Sequence, residues 1–398
     1  MTGRKALRRP LVLIVLAAAL GGVLLGGVFS QKSDNPALQF PADSHSPDGQ
    51  PVAGDTSHCA DVPIAAPPKR HSSLIIGLNS VWHNDCNLAA VAGAGVTMER
   101  LEIPWDSVEP EPGKWDFGEF DRELTLAARH GLTVLPLLMN VPGWAGKAWN
   151  AFPSNTAAFD AYVAEVVSRY GPHGSFWREH PHVPARPAQW FEIWNEPYLS
   201  QFSAGGVDPA AYARLYKGAA MAGKSADPAA RFLIQAELYT SQENGDSGDW
   251  VDPMFAAVPD LARWFDGVAV HPYTSTDSPD TYTPDDPRGE FRRIENIRRQ
   301  FAAHGAGSKP FWITEVGWST CPGSPDDCVS DEKQAAYLTS VFNIVKSDYS
   351  SWVRAVFPYN YRDGNEDNVA DKEQWFGLIR RGGEPKPAWN VLRAAASS

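Results

Sequence analysis

From residue 74 onward, short apolar runs alternate with longer stretches in which apolar positions recur every three or four residues. The runs fall at 74–78, 97–103, 133–138, 190–194, 232–236, 267–270, 311–314 and 353–357. Between and after them, the spacing predicts helices at 88–94, 120–130, 156–170, 209–225, 251–264, 288–304, 333–347 and 386–395. Short, nearly continuous apolar runs suit strands buried on both faces, as parallel strands are when a helix covers each crossover. Eight strand–helix units over roughly 320 residues predict an α/β fold of the (β/α)8 TIM-barrel type. An open doubly wound sheet is the structural rival, but it would carry a Gly-rich phosphate turn after its first strand. Here that position reads Asn79-Ser80-Val81-Trp82-His83.

The first 70 residues break the alternation. Arg4, Lys5, Arg8 and Arg9 precede an apolar run over 11–29, about the length (~20 residues) needed to cross the hydrocarbon core of a bilayer. This predicts export. The length favours a retained signal anchor over residues 1–30; removal as a signal peptide is the alternative, since Val28-Phe29-Ser30 offers a cleavage site. The flanking basic residues would stay in the cytoplasm and leave the rest on the extracellular side, or secreted if the segment is removed. Residues 31–70, rich in Pro, Ser, Asp and Gly without an apolar period, read as a flexible linker, and 71–398 as the catalytic-sized barrel domain. Cys59, Cys86, Cys321 and Cys328 are even in number in an exported chain, which predicts two disulfides among three possible pairings. Cys59–Cys86 and Cys321–Cys328 are favoured. A metal site on the cysteines is disfavoured because no C-x-x-C pair exists.

Composition narrows the partner. The chain has 398 residues, 43% hydrophobic and 21% charged, with a net charge of -12. An acidic balance argues against nucleic acid or polyphosphate and towards a neutral or weakly charged substrate. No Walker, H-E-x-x-H or G-x-S-x-G motif is present, and no cofactor is implied.

In barrels of this type, chemistry sits at the carboxyl ends of the strands. Those ends carry Arg100 and Glu102, Asn195-Glu196-Pro197, His271-Pro272-Tyr273, Glu315, and Tyr359-Asn360. Two glutamates on strands four and seven would face each other across the mouth. That is the arrangement glycoside hydrolysis needs, with one carboxylic acid to protonate the leaving oxygen and one carboxylate to attack or to activate water. A separation of about 5 Å implies retention of configuration, and about 6.5–9.5 Å inversion.

Trp194-Asn195-Glu196-Pro197 and Trp312-Ile313-Thr314-Glu315-Val316-Gly317-Trp318 resemble the two signatures of clan A glycoside hydrolases. With residues 99–116, E-R-L-E-I-P-W-D-S-V-E-P-E-P-G-K-W-D, the likeness extends over about residues 74–395 and is nearest to families 39 and 5. The resemblance implies a retaining double displacement on β-glycosides of a poly- or oligosaccharide, with Glu196 as acid/base and Glu315 as nucleophile. It gives Asn195 the sugar 2-hydroxyl and makes His271-Pro272-Tyr273 similar to the clan's H-x-Y. Tyr273 would then donate to Glu315, His271 would line the same subsite, and Arg100 would keep Glu315 ionised. The plainer readings are a cap for Asn195, an ion pair of Arg100 with Glu99 or Glu102, a satisfied core residue for His271 and a loop residue for His83, which otherwise contacts sugar. The chain departs from the clan at strand eight, where Phe357-Pro358-Tyr359-Asn360 replaces the usual Trp platform, so that Tyr359 or Trp375 would serve instead.

The chain holds 15 Trp, more than one core requires, and aromatic faces stack on sugar rings. Trp105, Trp144, Trp149, Trp318 and Trp375 are the loop candidates for subsites, whereas Trp194 and Trp312 belong to the core. Long connections after strands three, six and eight suggest a walled groove and endo action by a monomeric domain. The rival functions are a transglycosylase on the same two glutamates, a carbohydrate-binding barrel without catalysis, and a metal-dependent amidohydrolase. The last would require several His at strand ends, and only His271 stands there. The acidic loops at Asp285-Asp286 and 363–371 read as solvated rather than calcium-binding.

Overall fold

The computed structural model describes residues 73–241, 248–284, 287–323, 327–369 and 371–397. The predicted membrane segment and linker, together with Cys59 and Asp285-Asp286, lie outside the described residues. Among the described residues no helix is long and apolar enough to cross a membrane.

Eight strands close a barrel in chain order: β1 Ile75–Asn79, β2 Met98–Glu102, β3 Thr133–Leu138, β4 Trp190–Ile193, β5 Arg231–Gln235, β6 Gly267–Val270, β7 Phe311–Val316 and β8 Val353–Pro358. Every pairing is parallel, and β8 returns to β1. The helices are α1 Asp85–Gly93, α2 Trp105–Val108, α3 Gly118–Arg129, α4 Thr156–Tyr170, α5 Ser175–Glu179, α6 Pro209–Ala226, α7 Val251–Ala257, α8 Ile294–Ala303, α9 Asp331–Ser347 and α10 Pro387–Ser397. All eight apolar runs become strands, shifted at the ends by a residue or two. The helix expected over 251–264 is shorter: α7 stops before Pro259, whose ring and missing N–H cannot continue the hydrogen-bond ladder. The short α2 and α5, in the connections after β2 and α4, carry too few turns to leave a periodic signal.

Two layers of core hold the barrel. The outer layer lies between strands and helices. The inner layer fills the barrel with Met98, Leu135, Trp190, Leu233, Ala269, Trp312, Ala355 and Phe357, with Ile75 against them. Phe357 needs Gly77 opposite it, because a Cβ there would lie 2.1 Å from the ring. Side chains alternate along a strand, so the position two residues beyond each plug residue also faces inward, nearer the mouth. Those positions are Arg100 after Met98, Glu192 after Trp190, Gln235 after Leu233, His271 after Ala269 and Thr314 after Trp312. The apolar plug thus closes the lower barrel, and a polar floor lies above it. Cys321 and Cys328 form the expected disulfide, with 5.5 Å between their Cα atoms.

Candidate active site

Arg100 organises the floor. Its Nε donates to Glu192 Oε2 (2.5 Å), its Nη1 to Glu315 Oε1 (2.6 Å) and to Asn79 Oδ1 (3.3 Å), and its Nη2 to Asn195 Oδ1 (2.8 Å). The alternative pairing with Glu99 or Glu102 is not what forms, since Glu99 lies on the outer face of β2. Burial works against the guanidinium charge, but Glu192 and Glu315 outweigh it and raise the Arg100 pKa further above its ordinary value.

Two local breaks in regular backbone aim the glutamates. After β4, Trp194 (φ +68°) and Glu196 (φ +41°) adopt left-handed conformations that few L-residues tolerate, and Glu196 leaves the strand facing the mouth. On β7, Thr314 faces inward with Trp312, so strict alternation would turn Glu315 outward. The β7–β8 register shifts between Ile313 and Val316, which pair with Val356 and Pro358 and so leave one extra residue on β7. Such a bulge reverses the phase and re-aims a side chain.

The two carboxylates then receive different partners. Glu315 is buried and accepts from Arg100 and from the Tyr273 hydroxyl (2.7 Å). Glu196 is partly exposed, with Oε1 2.8 Å from His271 Nδ1. His271 Nε2 faces Thr314 Oγ1 at 3.0 Å. Burial pulls the His271 pKa down, but Glu315 and the hydrogen-bonded Glu196 outweigh it, and the net shift is upward. Burial and the neighbouring Glu315 push the Tyr273 phenol far above its usual range, so it stays a donor. Ligand atoms of Glu196, His271 and Glu315 all lie within 4.8 Å of one another. These three are the donors a metal would find here, yet Arg100 at 2.6 Å already supplies Glu315 with its countercharge.

Other residues fall into place around this centre. Tyr359 stands edge-on to Tyr273 (6.3 Å) and to Phe376 (5.4 Å), forming an aromatic wall where a Trp platform was absent from the sequence. Arg293, just before α8, grips Glu237 through Nε (2.9 Å) and Nη2 (2.7 Å) and donates to the backbone oxygens of His271 (3.0 Å) and Tyr273 (2.9 Å), tying down the end of β6. At the ends of β2 and β3, Asn140 Nδ2 donates to Glu102 Oε1 at 2.6 Å, and burial pushes the Glu102 carboxyl up to about 8.

Several sequence candidates lie elsewhere. His83 bonds Glu99 at 3.0 Å on the outer face of β2; burial lowers its pKa, but Glu99 and Glu123 outweigh that and raise it to about 9, so its role is an internal ion pair. Trp105 (0% exposed) and Trp318 (1%) are core residues that satisfy their indole N–H on Glu109 and Thr274, and neither ring presents a face to a sugar. Trp375 packs against Cys321 and Cys328. Trp149 is half-buried, edge-on to Phe202. Trp144 alone of the five is substantially exposed, at 37%.

The sequence reading missed Glu192, Gln235, Thr314, Asn140 and Arg293. Glu192 had a signal: a carboxylate inside the fully buried run Trp190-Phe191-Glu192-Ile193 demands a buried partner. Arg293 had none, because Glu237 and the backbone oxygens of His271 and Tyr273 lie 20 to 56 residues away along the chain.

No family model matches the chain, and no curated protein does. Solved structures share its fold. A family 39 glycoside hydrolase from Bacteroides cellulosilyticus WH2 is similar at TM-score 0.61 and 22% identity, over 83% of this chain and 65% of its own. A monomeric β-xylosidase from Caulobacter crescentus CB15 is similar at TM-score 0.58 and 19% identity, over 84% and 69%. Xylanase 10B from Thermotoga maritima is similar at TM-score 0.54 and 17% identity, over 81% and 95%. The chain therefore spans 65% of the length of the first of these, and the likeness is one of fold.

Proposed function

We propose that this chain is a retaining O-glycoside hydrolase acting on β-glycosidic bonds of a neutral poly- or oligosaccharide. The observation that carries the reading is the approach of Glu196 and Glu315, one oxygen of each lying within 4.8 Å of the other across the mouth. That approach supports the roughly 5 Å separation of double-displacement enzymes over the wider gap that inversion uses.

In this reading Glu315, paired with Arg100 and oriented by Tyr273, attacks the anomeric carbon. Glu196 gives its proton to the departing oxygen, the glycosidic bond breaks, and a glycosyl ester forms on Glu315. Glu196, now a carboxylate, takes a proton from water, whose oxygen displaces Glu315 and restores both groups. Because Arg100 occupies Asn195 Oδ1, the Asn195 amide N–H₂ is left to donate to the sugar 2-hydroxyl. The activities named for the fold's neighbours, a β-xylosidase and a xylanase among them, and the net charge of -12 support a neutral glycone. The basic, then apolar N-terminus supports a catalytic domain held on the extracellular side of a membrane or secreted, and the long loops support endo action by a monomer.

A 2-deoxy-2-fluoro β-glycoside with a good leaving group should label Glu315 covalently, read by mass spectrometry of the digested protein. Label on any other residue overturns the assignment. Glu196→Gln should lose turnover of poor leaving groups while keeping that of activated aryl glycosides, since only the former need a proton. Equal losses on both would remove Glu196 from the acid role.

A further inference from the structure

We propose that Glu192 and Thr314 are positioning residues that fix a hydrogen on Nε2 of His271 and so hold a proton between His271 and Glu196. The kinetic consequence rests on the glycosidase reading above; the hydrogen placement does not.

Glu192 is wholly buried and paired through Oε2 with Arg100, so it acts as an acceptor only. Its Oε1 takes the Gln235 amide and, at 2.9 Å, the Thr314 hydroxyl. A hydroxyl has one hydrogen. With that hydrogen given to Glu192, Thr314 Oγ1 presents only lone pairs to His271 Nε2, 3.0 Å away, and Nε2 must carry the hydrogen between them. The opposite polarity leaves Thr314 Oγ1 and Glu192 Oε1 facing each other at 2.9 Å without a hydrogen, in a site closed to water, which is costly. The Gln235 amide nitrogen also lies 3.4 Å from Nε2, a longer contact than the 3.0 Å to Thr314 Oγ1.

With Nε2 committed, Nδ1 lies 2.8 Å from Glu196 Oε1, and a bare nitrogen lone pair facing a carboxylate there would be repulsive. One proton therefore resides between them, on either side. It leaves with the departing sugar oxygen in the first displacement and is replaced from the attacking water in the second, so the pair ends the cycle as it began. The chain Glu192–Thr314–His271–Glu196 thus links a buried anion to the acid that the reaction needs protonated.

Other charges also face the pair. Glu315 on β7 and Glu373 in the turn before Trp375 are the anionic neighbours, and Arg100 on β2 and Arg293 before α8 the cationic ones. The phenols of Tyr198, Tyr273 and Tyr359 stand against the same carboxylates and are all pushed upward by burial. Thr314→Val removes the connecting hydroxyl and alters none of these charges, which makes it the decisive variant; Thr314→Ser keeps the hydroxyl.

In Thr314→Val the basic limb of the kcat/KM profile, measured on an aryl glycoside with a poor leaving group, should move to lower pH by about one unit, the equivalent of one hydrogen bond to a charged group. Thr314→Ser should restore it, with both variants matched to the native chain in thermal melting. Imidazole 15N resonances of the native protein, assigned by their loss in His271→Asn, should show Nε2 protonated. A basic limb unmoved in Thr314→Val, an equal shift in Thr314→Ser, or a bare Nε2 overturns the proposal. Should the native chain hydrolyse no glycoside, the glycosidase reading falls, and the nitrogen resonances still decide the relay.

Discussion

Arg100 donates through its three guanidinium nitrogens to four side chains, and two of these acceptors, Asn195 and Glu315, lie on different strand ends. A lysine supplies the charge without the fork. Arg100→Lys should therefore lower kcat by about 10²–10³-fold, the usual cost of losing one preorganised donor at a reacting centre, with KM little changed; steady-state kinetics on an activated aryl glycoside checks this, and a defect confined to KM would contradict it. The tryptophans separate in the same residue-level way. Trp105→Ala opens a cavity in the core and should cost about 3–5 kcal/mol in urea denaturation. Trp144→Ala, at an exposed ring, should leave the melting temperature alone and weaken polysaccharide binding in a depletion assay. Unchanged binding would remove Trp144 from the substrate groove.

At the scale of elements, the geometry of the candidate site depends on where regular structure fails. β7 must bulge for Glu315 to face inward while Trp312 and Thr314 also do, and β4 must end in left-handed residues for Glu196 to turn into the mouth. The plug beneath them sets the height of the floor. Gly77→Ala would drive a methyl into the Phe357 ring and should destabilise the barrel by about 1–3 kcal/mol, as overpacking does. Phe357→Leu in the same chain should recover part of that loss in denaturant unfolding, and a double variant no better than the single one would show that the ring is not the obstacle.

For the whole molecule, four groups that titrate between about pH 4.5 and 9 shift in the same direction. Burial raises Glu102 to about 8 and Glu123 and Glu373 to about 7, while Glu99 and Glu123 bring His83 to about 9 against the opposing effect of burial. In each case the folded state binds a proton that the unfolded chain has released, so stability falls as pH rises from the unfolded to the folded pKa. For the carboxylates that window runs from about 4.5 to 7 or 8, and for His83 from 6.5 to about 9. The melting temperature should accordingly decline between pH 5 and 9, and Glu102→Gln should flatten the decline; a rise over that range would contradict it. The eight strands, the barrel and the placement of both glutamates at its mouth were legible in the chain, because burial on two faces writes a continuous apolar run and strand ends lie at one end of the barrel. The Cys321–Cys328 bond was legible too, from proximity in sequence alone. His83, Trp105 and Trp318 misled, since a polar or aromatic residue near a strand end carries no mark of the face it takes. Thr314 and Arg293 were silent, because their partners lie on other strands or are backbone oxygens, whereas Glu192 signalled only that it needed some buried partner. Local pattern thus determined the barrel and the identity of the carboxylates. Only barrel closure, with the bulge in β7, decided their spacing and partners, because hydrogen bonds between residues up to 215 positions apart exist only once every strand is in register.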